Sequence, residues 1–403
     1  MSTTALSKPW TITRLGWLFQ PISDRGHEEA MVLSVYRDHG VIPKDSRTDN
    51  FNRTPENLSN YQLVQPGDLV VNRMKAWQGS LGISEHQGIV SPDYEVLRPT
   101  APEYDRRFLH SLLRSRALID QYALRSTGIR PSQWRLYWDE MKTIEISLPA
   151  AKQQRAIADY LDRETARIDT LIEEQQRLIE MLRERRQAVI DESFSTLGDP
   201  SVQLRRYIKF LTSGSRGWGD YYADQGERFL RIGNLPRANL EIRGDIQFVD
   251  LPADVTEGSR TMLQEGDLLF SITAYLGSVA VIKGDWVGAY VSQHVALCRL
   301  ERDRVDPRFI GWFMLTTTGQ DQLNEGAAGG TKMQLALDDI RGLRVPTASI
   351  EQQRRIAAHL DRQTAKIDAL VAETERFIEY ARERRVALIT AAVTGQIDLR
   401  EMA

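Results

Sequence analysis

Two long segments of this 403-residue chain carry apolar residues with a seven-residue period. Neither segment contains Gly or Pro, and both are rich in residues that favour helices, such as Ala, Leu, Arg and Glu. One polar residue interrupts each apolar series at the same place, Gln175 in the first and Thr374 in the second. The pattern predicts two helices of about 40 residues and about 60 Å, each with an apolar seam for a helical partner. The seam residues are Leu161, Ile168, Leu182 and Val189 in the first segment and Leu360, Ile367, Ala381 and Leu388 in the second.

The two helical segments are copies of each other. A shift of 199 residues aligns 153–190 with 352–389, and 23 of these 38 positions are identical. Because the polar interruptions also match, we expect the two helices to pair with each other as an antiparallel coiled coil. Two independent surface helices are the alternative interpretation.

The segments between the helices repeat at the same shift. Gly67-Asp68-Leu69 recurs as Gly266-Asp267-Leu268, whereas the loops that follow these tripeptides differ. Short apolar runs bounded by Gly and Asp are typical of strands. We therefore expect an α+β (mixed α/β) fold in which two globular domains are joined by two long helices, with a pseudo-two-fold internal repeat. The expected boundaries are 1–150 for the first domain, 151–198 for the central helix, 199–348 for the second domain, and 349–403 for the last helix and tail.

Composition restricts the cellular setting and the chemistry. The only cysteine is Cys298, which excludes an intrachain disulfide framework. The first residues lack the apolar core of a signal peptide, and no apolar run is long enough for a membrane span, so we expect a cytoplasmic protein. The formal net charge of −3 argues mildly against nucleic-acid binding, so any binding face must arise from local clustering of basic residues.

Sequence motifs of an enzyme are missing. The run Gly329-Gly330-Thr331-Lys332 lacks the spacing of a phosphate-binding loop, and no dinucleotide-binding fingerprint follows a strand. The six histidines are scattered without the spacing of a zinc site. We therefore expect no catalytic activity and no bound metal or cofactor in this chain.

Several loops combine basic, amide, hydroxyl and aromatic side chains, which is the chemistry that contacts DNA bases and phosphates. For any single residue, an ordinary solvated loop side chain is the alternative, and Trp134 and Trp138 fit a core position better than a stacking platform. The candidate DNA-binding residues are Arg73, Lys75, Trp77, Gln78, Ser126, Thr127, Arg130, Ser132 and Gln133 in the first half and Arg216, Trp218, Thr273, Tyr275, Gln293, His294, Thr331, Lys332 and Gln334 in the second half.

The order of these parts resembles one family over essentially the whole chain. A variable segment is followed by Pro and then Gln-Gln-Arg-x-Ile-Ala…Leu-Asp, the same unit occurs again, and Val393-Thr394-Gly395-Gln396-Ile397-Asp398-Leu399-Arg400 follows. This arrangement resembles the specificity subunit of type I restriction-modification systems. The resemblance implies two target-recognition domains that each bind one half of a split double-stranded DNA sequence, with the paired helices as the spacer between them.

The resemblance also implies partners. Two DNA adenine methyltransferase subunits would dock on the helices, and two ATP-dependent restriction subunits would join the larger complex. S-adenosylmethionine, ATP and Mg would then be bound by those partner subunits. The residues expected to bind the methyltransferases are Gln153, Gln154, Arg155, Ile157, Leu161, Gln352, Gln353, Arg354, Ile356 and Leu360. On this hypothesis, aspartate at Ile157 and Ile356 abolishes assembly while the domains stay folded.

Two other function classes stay open on the residues alone. One is a coiled-coil protein scaffold without DNA binding, which predicts acidic or apolar surfaces on both globular domains. The other is a single-chain enzyme whose motifs are no longer recognisable, which predicts nucleotide or S-adenosylmethionine binding by the isolated chain.

Overall fold

The computed structural model describes residues 10–47, 54–100, 104–252, 258–325 and 334–397. Contacts divide the chain into two compact units. Unit 1 consists of residues 1–175 and 376–403, and unit 2 of residues 176–375. Both boundaries fall inside the long helices, next to the polar interruptions of the apolar seam. Each long helix therefore contributes to both units, which differs from the predicted boundaries because the helix ends pack into the globular cores.

Unit 1 contains five helices or helix parts among its described residues besides the second half of the last helix. They are α1 (Leu15–Leu18), α2 (Arg106–Leu113), α3 (Arg116–Arg125), α4 (Trp138–Met141) and the first part of α5 (Ala151–Ser195). Its strands are β1 (Thr11–Arg14), β2 (Phe19–Ile22), β3 (Leu33–Tyr36), β4 (Gly40–Pro43), β5 (Gln62–Val64), β6 (Leu69–Asn72), β7 (Leu81–Ile83), β8 (Gly88–Val90), β9 (Tyr94–Pro99) and β10 (Glu145–Leu148).

Unit 2 contains a similar set of helices and strands. Its helices are the second part of α5, α6 (Gly258–Thr261), α7 (Pro307–Met314), α8 (Thr317–Glu325), α9 (Leu337–Gly342) and the first part of α10 (Ile350–Val393). Its strands are β11 (Val202–Gln203), β12 (Ile208–Ser213), β13 (Tyr222–Ala223), β14 (Glu227–Leu230), β15 (Gln247–Val249), β16 (Leu268–Ser271), β17 (Val279–Val281), β18 (Tyr290–Val291), β19 (Val295–Leu300) and β20 (Arg344–Val345).

One four-stranded antiparallel sheet has the same strand order in both units. The order is β2-β9-β6-β7 in unit 1 and β12-β19-β16-β17 in unit 2. The apolar runs that follow Gly67-Asp68 and Gly266-Asp267 form the third strand of this order, β6 and β16. The α+β fold class and the internal repeat are thus confirmed at the level of the sheets.

The repeated Gly-Asp-Leu tripeptide begins this third strand. Gly67 and Gly266 have φ angles of 103° and 84°, a left-handed backbone that favours glycine. The next residue, Asp68 or Asp267, is buried and accepts two hydrogen bonds from an arginine of the neighbouring strand. The tripeptide therefore has a structural role in both units, since the turn and the buried ion pair both depend on it.

Ion pairs join the two long helices in each unit. In unit 1, Asp169 of α5 forms an ion pair with Arg385 of α10 at 3.0 Å. In unit 2 the repeated pair is Asp368 with Arg186 at 2.7 Å, and Arg183 lies 3.3 Å from Glu375. From Arg183 to Arg186 along α5, the ion-pair partner on α10 moves back along the chain from Glu375 to Asp368. The predicted antiparallel direction is therefore confirmed in unit 2.

The helix ends complete the globular cores. Ile157 and Leu161 of α5 pack in the unit 1 core together with Ala392 and Val393 of α10. The other helix ends do the same in unit 2, where Ile190, Phe194, Ala357 and Leu360 join the core. In the described part of the chain, no helix has the length and apolarity needed to cross a bilayer.

Candidate nucleic-acid interface

One edge of the repeated sheet gathers most of the predicted contact loops of unit 2. Ser213, the last residue of β12, lies opposite Ala296, and Ser271, the last residue of β16, lies opposite Val295. The loops after β12 and β16 and the loop before β19 therefore leave the sheet at the same side. We call this side, with residues 213–218, 271–276 and 291–295, the loop edge of unit 2.

Polar side chains meet at this loop edge. Thr273 Oγ1 lies 3.1 Å from His294 Nδ1, and Gln293 Nε2 lies 3.2 Å from His294 Nε2. Tyr275, with a φ of 66° and 56% of its surface exposed, is held by a hydrogen bond from Ser271 Oγ to its carbonyl oxygen. The loop edge of unit 2 thus contains four of the predicted residues: Thr273, Gln293 and His294 in contact with one another, and the exposed Tyr275 on the same turn as Thr273.

Sequence reasoning missed one cation of this group. The Arg237 guanidinium lies 5.0 Å from the centre of the Tyr275 ring, and the side chain is exposed. Arg237 lies outside the loops that mix several polar residue types, since its neighbours are Pro236 and Ala238. Only its place next to Tyr275 identifies it as a candidate contact.

Trp218 is a correction to the predicted set. Only 3% of its surface is exposed, and its ring packs against Phe229 and Tyr290 with centroid distances of 5.6 and 5.2 Å. It fills the core under the second sheet of unit 2 and has no face left for a base. Arg216 and Gln334 are exposed, whereas Thr331 and Lys332 lie outside the described residues.

The equivalent edge of unit 1 brings its two predicted loops together. Leu136 N donates to Arg73 O at 2.9 Å, and Leu335 N donates to Ile272 O at 3.0 Å in unit 2, both at a shift of 199. The rings of Trp77 and Trp134 meet edge to face at 5.3 Å. Residues 72–80 and 126–136 therefore form the loop edge of unit 1.

Arg73 is partly engaged within unit 1. Its guanidinium donates to the carbonyl oxygens of Pro92 and Asp93 at 2.7 and 2.9 Å and lies 3.7 Å from Glu95. Burial raises the pKa of the Glu95 carboxyl, and the charge of Arg73 opposes that rise. Two of the three guanidinium nitrogens of Arg73 are thus bound to backbone carbonyl oxygens, and its side chain stays 26% exposed.

Two further predicted residues of unit 1 also serve the fold. Trp77 donates from Nε1 to Met74 O at 3.0 Å, and Ser126 donates from Oγ to Tyr122 O at 2.8 Å. The predicted residues that remain exposed in unit 1 are Lys75, Gln78, Thr127, Arg130, Ser132 and Gln133. Lys75 and Arg130 form no ion pair within the described ranges.

Half of the ten residues predicted to bind partners are buried within their unit. Gln154 is buried, accepts from Asp105 N at 3.1 Å and donates to Pro149 O at 2.9 Å. Gln353 repeats this in unit 2 with Asp306 N and Ala348 O at 2.8 and 2.9 Å. These glutamines hold the start of each long helix against the globular part of its unit.

The other predicted partner residues divide by exposure. Ile157, Leu161 and Leu360 are buried core residues, which corrects their assignment as a docking surface. Gln153, Gln352 and Ile356 are half-buried, and Arg155 and Arg354 are exposed. The described residues hold no group of three side chains suited to a metal ion.

Comparison with known proteins agrees with this geometry. Residues 254–379 match the family model described as the type I restriction modification DNA specificity domain. The specificity subunit of the type I restriction enzyme EcoBI of Escherichia coli is 19% identical over 414 residues, covering 95% of this chain and 83% of that protein. The EcoKI specificity subunit of E. coli strain K12 is 21% identical, with coverage of 95% and 89%.

Solved structures share the fold. A chain from a study of complex assembly and conformational transition in the type I R-M system has a TM-score of 0.72, 17% identity, and coverage of 97% of this chain and 99% of that chain. The crystal structure of the HsdS subunit from Thermoanaerobacter tengcongensis has a TM-score of 0.58 at 17% identity, with coverage of 98% and 99%.

Proposed function

We propose, on the premise that this chain belongs to the family of type I restriction-modification DNA specificity subunits, that each unit binds one half of a split DNA target. The relatives are named specificity subunits, which agrees with the prediction that this chain is not the catalytic component. The observation that carries the proposal is the duplicated loop edge. The same sheet and the same backbone hydrogen bonds carry different side chains in the two units, which suits two different short DNA sequences.

The exposed residues at the two loop edges, together with the half-buried Thr273 and Gln293, have suitable chemistry. Lysine and arginine bind phosphates, bidentate arginine binds guanine, and glutamine binds adenine. In unit 1 the candidates are Lys75, Gln78, Arg130 and Gln133; in unit 2 they are Arg216, Arg237, Thr273, Gln293 and His294. The net charge of −3 requires any DNA-binding face to come from local clusters of basic residues, and the cations at the two loop edges are such clusters.

The test is to exchange residues 1–150 for the corresponding segment of another specificity subunit and to sequence the adenines methylated in the host. We expect one half of the split target to change while the other half and the spacing stay the same, because the exchange leaves α5 and α10 intact. The donor segment should keep an arginine at position 107, since Arg107 forms ion pairs with Asp159 and Asp162 of α5 at 2.7 and 2.6 Å.

The reciprocal exchange of residues 202–346 is the matched control and should change only the other half. A change in both halves from one exchange, or in neither, would refute the assignment of one half-site to each unit.

We further propose that two DNA adenine methyltransferase subunits dock on exposed apolar residues of the long helices, and that two ATP-dependent restriction subunits join them. S-adenosylmethionine, ATP and Mg would be bound by those subunits. Phe377 and Tyr380 lie three residues apart on α10 in unit 1 and are 46% and 68% exposed. The shift of 199 places Leu178 and Met181 at the equivalent positions of α5 in unit 2. Residues three apart share a helix face, so each unit presents one copy of the same apolar surface.

Aspartate at Tyr380 or Met181 should each remove one methyltransferase subunit from the co-purified complex, and the double variant should remove both. Both side chains are exposed, so folding should be unchanged. Native mass spectrometry measures the subunit ratio. Gln176→Asp is the control, because it adds the same charge at an exposed position about 140° around α5 from Met181. A ratio unchanged in the double variant would rule out this surface.

A further inference from the structure

Helices α3 and α8 are equivalent in the two units, but their N-termini have different partners. In unit 2, the carboxylate of Asp191 accepts hydrogen bonds from Thr317 N at 2.8 Å and Thr317 Oγ1 at 2.9 Å, at the first residue of α8. Thr316 Oγ1 accepts a third bond, from Gly319 N at 3.0 Å. An anion on α5 thus binds the positive end of the α8 dipole.

Unit 1 has an equivalent helix start without the carboxylate, and Arg116 stands there in place of Thr317. The shift of 199 places Thr390 of α10 at the position of Asp191, and Thr390 Oγ1 is buried without a hydrogen-bond partner. Ser115, the residue before α3, is 2% exposed, and its Oγ also has no partner. The backbone N–H groups of Arg116 and Ala117 have no acceptor among the described residues.

Burying a hydroxyl without a partner costs free energy, since the group loses its bonds to water and gains none. Two such hydroxyls, Ser115 Oγ and Thr390 Oγ1, belong to residues that line one groove of unit 1 with a volume of about 1080 Å³. The start of α3 and the position equivalent to Asp191 therefore line the same cavity in unit 1.

The Arg114 guanidinium of this groove forms no ion pair within the described ranges, and the nearby charges of Asp38 and Arg385 act on its pKa in opposite directions. The other charged residues of the groove are paired: Arg37 with Asp38, Arg116 with Asp120, Arg385 with Asp169 and Asp162 with Arg107. Arg114 is largely buried and donates only to carbonyl oxygens, those of Tyr36, Leu81 and Arg37. Burial, followed by the charge of Arg114, lowers the pKa of neighbouring His110 to about 4, so this histidine is neutral at pH 7 and leaves Arg114 as the buried cation.

We propose that unit 1 binds a small free oxyanion of the phosphate or carboxylate class at the N-terminus of α3. The N–H groups of Arg116 and Ala117 and the hydroxyls of Ser115 and Thr390 donate to it, and the field of Arg114 favours its charge. The ligand occupies in unit 1 the place that Asp191 occupies in unit 2. This site does not depend on the proposed DNA-binding function.

A phosphate of bound DNA is the other oxyanion that this groove has to be tested for. Helix α3 runs from Arg116 to Arg125, about 15 Å, with Ser115 at its start and the loop edge of unit 1 following Ser126 at its end. Because Trp77, Gln78 and Trp134 of the loop edge also line the groove, the DNA measurement below separates a free anion from a backbone phosphate.

The experiment uses the full chain titrated with inorganic phosphate and with acetate, at an ionic strength held constant with chloride. Calorimetry measures the dissociation constant, and thermal unfolding measures the stabilisation that a ligand of the native state must give. Wild-type protein should bind phosphate or acetate and unfold at a higher temperature with it. Thr390→Asp supplies the missing carboxylate, so it should weaken anion binding at least tenfold and raise the unfolding temperature without ligand.

Two more variants keep the proposal falsifiable if Thr390→Asp does not fold. Ser115→Ala removes an Oγ that has no partner, so it should fold normally and bind the anion about tenfold more weakly. Asp191→Thr should create a second phosphate-responsive site in unit 2.

Equal stabilisation by chloride, or equal phosphate affinity in wild type, Thr390→Asp and Ser115→Ala, would overturn the proposal. A loss of affinity for duplex DNA in Thr390→Asp would identify the occupant as a backbone phosphate and overturn the assignment to a free anion.

Discussion

Replacing Asp267 with alanine should lower the free energy of unfolding of unit 2 by about 3–5 kcal/mol, because it leaves a charged partner without its counter-ion. The Asp267 side chain is 1% exposed, and Arg299 donates to its two carboxylate oxygens at 2.8 and 2.7 Å. The same carboxylate accepts from Gln264 N at 2.8 Å, which fixes the turn before β16. Since the chain has two units, hydrogen exchange of peptides from β16 and β19 is the suitable measurement.

Two control substitutions test whether the loss of stability comes from this ion pair. Asp267→Asn keeps an oxygen for Gln264 N, so it should cost less, about 2 kcal/mol. Asp303→Ala removes an equal charge from an exposed position and should stay within about 0.5 kcal/mol of wild type. Normal exchange protection of β16 in Asp267→Ala would mean that the pair does not hold the sheet.

Aspartate at Ile157 should unfold unit 1 rather than prevent assembly with a partner. Ile157 is 2% exposed in the core of unit 1. The substitution removes packing worth about 2–5 kcal/mol and buries a carboxylate, so the total loss should exceed about 4 kcal/mol. This replaces the sequence-based hypothesis that Ile157 is a docking residue, and hydrogen exchange of α2 and β6 in the isolated chain measures it.

The equivalent substitution in unit 2 is the natural comparison. Ile356 is only half-buried, so Ile356→Asp should cost about 1–2 kcal/mol and leave unit 2 folded. Ile157→Val removes one methylene and should cost about 0.5–1.5 kcal/mol. If Ile157→Asp kept full protection in unit 1 and lost only its partners, the docking hypothesis would be restored.

The sequence by itself determined the repeat, the helices and the direction of their pairing. Heptad spacing and the lack of Gly and Pro identify α5 and α10, because these features depend only on residues close together in the chain. The internal shift of 199 also identified equivalent positions such as Asp169 and Asp368, which form equivalent ion pairs in the two units. The loop edges were predicted as a set of loops, and the sheet brings those loops together.

Only the tertiary structure decided which of those side chains have free donors and acceptors. Residue type marked Arg73 and Trp218 as contacts, yet Arg73 is bound to carbonyl oxygens 19 and 20 residues away and Trp218 is buried among other rings. Gln154 and Gln353 match a family motif, but their partners lie 49 and 47 residues earlier in the chain. Hydrogen bonding and burial depend on neighbours that folding brings from distant segments, so no local pattern reveals them. For the same reason, the exchange of Asp191 for Thr390 is only a mismatch in the alignment, until the folded chain places both at the start of a helix.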